Sequence, residues 1–152
     1  MQLLDDGITH LNVYSKARTS MGRMLSNFYY YPFTCEDGYF ASVECYWHWL
    51  SIKDPVAKEQ VRCMSGNNAR AFARMIHKTE EKEIIPDFRR KILYAIWIKL
   101  INNKHLIDKE LLKLPFTHYY LFGGKVVEPN DNHEWFIDGL KIMCNHIIDN
   151  NL

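Results

Sequence analysis

The chain has no stretch approaching the roughly 20 apolar residues of a membrane span. Its first residues, MQLLDDGITH, show no basic segment with an apolar run behind it. A membrane-spanning or exported protein is not expected from this sequence, and a cytoplasmic one is. Cysteine is scarce and unpatterned: Cys35, Cys45, Cys63 and Cys144 have no C-x-x-C spacing. They lie in apolar or helical contexts, which points to reduced core thiols rather than a disulfide framework or a zinc site. An excess of charge of one sign is missing as well. Nineteen basic residues against eighteen acidic leave a net charge of +1, which argues against an extended nucleic-acid surface but leaves room for a local phosphate site. No repeat, low-complexity tract or linker divides the chain, so one domain over residues 1–152 is expected.

What is present suits a folded core: 47% of the 152 residues are hydrophobic and 14% aromatic. Ile8 to Ser15 alternates loosely and predicts a strand. Asp54-Pro55 reads as a cap with proline at the first helical position, opening a helix to about Met64, and Asn67 is placed to cap another through Ile76. From Pro86 to Asn102, Phe88, Ile92, Ala95, Ile96 and Lys99 follow one helical face, with Trp97, Leu100 and Ile101 widening it. A short helix is expected near Asp108 to Lys113. Tyr119 to Phe122 and Lys125 to Glu128 flank Gly123-Gly124 as a hairpin. Gly139 to Ile148 has helical spacing again. Strands and helices do not alternate strictly, so the expected fold class is α+β, one compact domain with several helices around a small sheet.

The densest segment runs from Leu25 to Trp47. Pro32 fixes the backbone, Asp37-Gly38 supplies turn chemistry, and Ser42 is a good helix N-cap that puts Glu44 in the first turn. An acid there is favoured by the free N–H groups whether or not it has any other role. Its surroundings are unusual, because Phe40, Val43, Tyr46, Trp47, Trp49 and Leu50 make this helix apolar over most of its circumference. A carboxylate in that setting is expected to be partly buried and to need a partner or a purpose.

Val13-Tyr14-Ser15, Gly22-Arg23, Leu25-Ser26-Asn27-Phe28, Pro32-Phe33, Asp37-Gly38, Phe40 and Ser42-Val43-Glu44-x-Tyr46-Trp47 together resemble the NADAR family, which includes YbiA-like N-glycosidases. Further pieces follow in order. Ala95-Ile96-x-x-Lys99-Leu100 with Asn102 and Leu106, then Leu111-Leu112, Val126-Val127-Glu128 and Trp135-Phe136-Ile137-Asp138-Gly139, are similar to the family's later motifs. The resemblance covers about residues 12–140. It implies hydrolysis of an N-glycosidic bond, in a phosphorylated ribosylated pyrimidine of riboflavin biosynthesis or in ADP-ribose linked to guanine. It places the family's functional glutamate on Glu44, the acid of its aromatic-x-Asp-Gly region on Asp138, and the glutamate of its "L-V-E" strand on Glu128. The chain also departs from the family pattern. Ser51 stands where the family commonly has a lysine, Glu83-Ile84-Ile85-Pro86 lacks a usual tryptophan, and Phe136-Ile137 replaces tryptophan and glycine.

The implied reaction needs such groups. As a ribosyl C–N bond breaks, positive charge builds on the sugar, so a carboxylate stabilises it or deprotonates water while an acid protonates the leaving nitrogen. Glu44 and Asp138 are the catalytic candidates on this basis. Trp47 and His48 share the helical face of Glu44 and either border a pocket or pack in the core. Trp135 sits in the polar loop Asn130 to Glu134, where it either stacks on a base or anchors the surface to the core. Arg18 and Arg23 bracket a short glycine-containing loop able to hold a phosphate, though surface arginines are common. Asn27 either contacts ribose or base or ties its loop. Glu44-x-x-x-His48 lacks a second ligand pair, and His77, His105, His118, His133 and His146 show no metal spacing, so no metal and no cofactor are expected. The expected partner is a small phosphorylated nucleoside-like molecule or an ADP-ribosylated base; the oligomeric state is left open. The alternative is a binding module that keeps a nucleotide or ADP-ribose pocket without the chemistry.

Overall fold

A computed structural model describes residues 3–129 and 133–152. In chain order the elements are a 3₁₀ turn at Leu3–Asp5, β1 at Leu11–Asn12, α1 at Ser20–Leu25, β2 at Phe33–Cys35 and β3 at Gly38–Phe40. Then come α2 at Val43–Ser51, α3 at Pro55–Val61, α4 at Gly66–Ile76 and α5 at Phe88–Asn102. Two further 3₁₀ turns, Lys104–Leu106 and Leu111–Lys113, precede β4 at Phe116–Thr117, β5 at Tyr120–Phe122, β6 at Lys125–Val127 and α6 at Glu134–Asp149. The class is α+β. The strands form three separate pairs among the described residues, parallel β1–β4 and antiparallel β2–β3 and β5–β6, where one small sheet was expected.

The chain groups into two units, one of Asn27–Lys99 and one of the segments before and after it. In the first, α2 packs on α3 and α4, and Phe33, Phe40 and Tyr46 form an aromatic cluster with ring centroids 4.5–5.9 Å apart. Ser42 caps α2 as expected, its Oγ accepting from the Cys45 N–H at 3.3 Å. Asp54 caps α3 in the same way, ahead of Pro55 at the first helical position. The cap of α4 is Ser65, not Asn67: the Ser65 backbone is extended and its Oγ reaches the Asn68 N–H at 3.3 Å, leaving Asn67 inside the helix. Gly66 then sits against the Phe28 ring, where a Cβ would stand 2.9 Å from a ring carbon. Gly38, at φ +106°, makes the β2–β3 turn where a side chain would be strained.

In the second unit the strand read over Ile8 to Ser15 shrinks to Leu11–Asn12. Its partner begins just after Pro115, and the Asn12 N–H is taken by Asp6 Oδ1 at 2.8 Å rather than by a longer ladder. Ile8, at 66% exposure, lies outside the core. The hairpin is as expected, with Gly123 and Gly124 at φ +58° and +78°, the two left-handed positions of a tight hairpin turn. The C-terminal helix starts at Glu134, five positions before Gly139, and buries Phe136, Leu140, Cys144 and Ile147 on one face. Of the four thiols, all free, only Cys45 and Cys144 are buried; Cys63 is exposed and Cys35 half-buried, so core burial holds for two. Among the described residues no helix is long and apolar enough to cross a membrane.

Candidate functional site

Glu44 lies where the cap and the apolar sequence place it, in the first turn of α2 and buried, with 11% of its side chain exposed. Its backbone N–H, one of the donors a helix start leaves over, is satisfied by the Asn27 carbonyl at 3.0 Å. One helical turn on, His48 Nε2 approaches Glu44 Oε1 at 2.7 Å. An ionised carboxylate only accepts, so the bond requires the proton on Nε2. The spacing of four residues brings the two side chains onto one face. Asn27 Oδ1 is buried and has no hydrogen-bond partner among the described residues. A buried carboxylate with a donor on one oxygen, next to a loop carrying an unused acceptor, is a setting that favours a ligand rich in N–H or O–H groups.

Trp47 is half-buried and meets Phe88 edge to face, with centroids 4.9 Å apart and planes at 87°. Ser51, where the resemblance leads one to expect a lysine, donates to the His48 carbonyl at 2.9 Å, and its Oγ lies 3.2 Å from His77 Nε2.

The remaining candidates belong to the other unit. Arg18 and Arg23 are both exposed. Arg23 donates to the Ala17 and Arg18 carbonyls at 2.8 and 3.2 Å and to Ser20 Oγ at 3.1 Å. Arg18 donates through Nη1 to the Leu4 carbonyl and through its backbone to Asp6 Oδ2. The Arg23 guanidinium therefore braces the turn before α1, and that of Arg18 ties the turn to Leu4; the loop expected between the two arginines is not one, because Ser20–Leu25 is helical behind its Thr19 cap and Gly22 and Arg23 lie inside that helix. Glu128 is exposed just after β6. Asp138 is exposed on α6, three residues after half-buried Trp135. Trp135 is helical rather than part of a polar loop, because α6 begins one residue earlier; Asn130 to Asn132 lie outside the described residues.

A network that the sequence did not announce centres on Asp37. Its Oδ2 accepts from Tyr46 Oη at 2.6 Å and from Lys91 Nζ at 2.7 Å. Burial alone would raise the Asp37 carboxyl, but the Lys91 and Tyr46 bonds and the lysine charges outweigh it and hold it below its ordinary value. Burial, then the Asp37 carboxylate, push the Tyr46 hydroxyl far up, so it stays a donor. Asp37-Gly38 was legible as a turn. Nothing in the local pattern links it to a lysine 54 positions away.

No protein-family model and no curated protein matches the chain. Among solved structures it matches the NMR structure of the E. coli protein YbiA with a TM-score of 0.64, over 99% of this chain and 95% of that one, at 14% sequence identity. At that identity the likeness is one of fold: the chain is folded like YbiA, a NADAR family protein.

Proposed function

We propose that the chain is one NADAR-like domain over residues 1–152 and an N-glycosidase of the cytoplasm. Its substrate class is a phosphorylated ribosyl or ADP-ribosyl compound, either a riboflavin-pathway pyrimidine intermediate or ADP-ribosylated guanine. The observation that carries this reading is the buried Glu44 carboxylate held by His48 at 2.7 Å on a capped helix. In that position Glu44 is the base that activates water or the charge that stabilises the oxocarbenium-like transition state. His48 fixes its rotamer and leaves the second oxygen for the reaction. Asn27 offers its unpaired Oδ1 to a ribose hydroxyl or a base N–H. Asp138 is the second acid or a ribose ligand, and Arg18, Arg23, Trp47, Glu128 and Trp135 are proposed substrate contacts. No metal or cofactor takes part.

A second reading, a binding module without turnover, is favoured by one observation. Ser51 is tied to the His48 carbonyl and to His77, where the family pattern would put a cation. The two readings separate when purified protein is incubated with ribosylaminopyrimidine phosphates and with ADP-ribosylated guanine and the free base is followed by chromatography. Release of base supports the enzyme. Binding without release supports the module.

A further inference from the structure

Glu44 and His48 stand one turn apart on α2, and the 2.7 Å bond to Glu44 Oε1 fixes a proton on His48 Nε2. In a neutral imidazole the other nitrogen then carries the lone pair. That nitrogen, Nδ1, has no hydrogen-bond partner among the described residues, and it is not sealed from solvent. Two other histidines are placed differently. His10 meets Thr9 Oγ1 at 2.8 Å and Tyr119 Oη at 2.7 Å, and His77 meets the Glu80 carbonyl at 3.0 Å and Ser51 Oγ at 3.2 Å. Both of those rings engage their two nitrogens within the fold, whereas His48 keeps one available.

A carboxylate behind one nitrogen of an imidazole, with the other nitrogen open, is the arrangement by which a histidine acts as a general base. The carboxylate orients the ring, selects the tautomer and stabilises the imidazolium that forms when a proton arrives. Here both side chains are largely buried, His48 at 16% exposure and Glu44 at 11%, so the pair interacts in a poorly hydrated setting where such a bond is strong. An imidazole is also the stronger base of the two groups near neutral pH. The two nitrogens of one ring are separated by a single carbon, so a proton acceptor and a fixed negative charge stand side by side at the start of α2.

We propose that His48 is the general base of the N-glycosidase reaction and that Glu44 is the fixed negative charge behind it. The proposal rests on the N-glycosidase reading and divides the work within it. As the C1–N bond breaks, its electron pair goes to the leaving nitrogen, which takes a proton from solvent. A water molecule held at His48 Nδ1 forms the new C1–O bond and gives its proton to Nδ1. Loss of that proton to solvent restores the starting state. Glu44 keeps the Nε2 proton on Oε1 throughout and has Oε2 for the positive charge that builds on the sugar.

The test follows base release on whichever ribosylaminopyrimidine phosphate or ADP-ribosylated guanine the unaltered protein cleaves, with the sugar product, ribose 5-phosphate or ADP-ribose, as the binding probe. His48→Gln keeps an N–H for Glu44 but has no nitrogen that takes up a proton. It should bind the sugar product as the unaltered protein does, while turnover falls by about 10²–10⁴-fold. In His48→Ala, added imidazole should restore part of the turnover, and acetamide, which donates N–H groups but takes up no proton, should not. Undiminished turnover in His48→Gln, product binding lost in step with turnover, or equal rescue by acetamide would each overturn the proposal and leave His48 as a support for Glu44. No base release by the unaltered protein on any of these substrates would instead overturn the N-glycosidase reading, and this proposal with it.

Discussion

Asp37 and Glu44 are both carboxylates held by donors from their own unit, but the donors differ in kind. Asp37 is tied by Lys91 and Tyr46, and its depressed carboxyl value makes the ionised form a source of stability. For a carboxyl lowered on folding, that stability is present in full above the ordinary value of 3.8 and is lost as the pH falls through the lower folded value. Tyr46→Phe removes one donor and should cost about 1.5–3 kcal/mol in denaturant unfolding at neutral pH. The deficit should shrink in acid below the folded value, where Asp37 is protonated in both proteins. Glu44 relies on His48 alone among the hydrogen bonds described for its side chain. His48→Leu strands a buried carboxylate and should cost about 1–3 kcal/mol, whereas His48→Gln, which keeps an N–H donor, should recover much of it. Equal losses in the two variants would show that His48 acts through packing rather than by holding Glu44.

At the level of elements, capping explains why the candidate site is where it is. Ser42 ends the extended run from Phe40 and starts α2, so Glu44 is fixed in the first turn. Ser42→Ala should lower stability by about 1 kcal/mol, as lost N-caps do. It should also lower any Glu44-dependent turnover by loosening the mount. A variant with reduced stability and unchanged turnover would separate the cap from the site. The caps Ser42 and Asp54 were legible because a short polar residue immediately precedes an apolar run. Asn67 misled because Ser65 competes for the same helix start, and Ser65 followed by Gly66 lets the chain approach Phe28. The start of α6 was misplaced for a related reason. Gly139 looks like a boundary, yet Phe136, Leu140, Cys144 and Ile147 already follow a helical spacing that runs past it. That earlier start turns Trp135 from a loop residue into a first-turn residue.

For the molecule as a whole, the α+β class and the helices from α2 to α6 could be read from caps and hydrophobic spacing, whereas α1, six residues long and read as a loop between Arg18 and Arg23, could not. The strands could not be read to the same degree. β1 and β4 are two residues each and pair across more than a hundred positions of sequence, so their limits depend on partners such as Pro115 and Asp6 that no local pattern names. The Asp37–Lys91 pair was hidden for the same reason. The fold likeness to YbiA agrees with the resemblance read from the ordered motifs. The most direct measurement is base release by the Glu44→Gln variant on whichever ribosylaminopyrimidine phosphate or ADP-ribosylated guanine the unaltered protein cleaves. Glutamine keeps the shape and can still meet His48, so the variant should fold and bind while turnover falls by about 10²–10⁴-fold, the usual share of one acid–base group. Full turnover in Glu44→Gln would contradict the assignment of Glu44 as the reacting carboxylate.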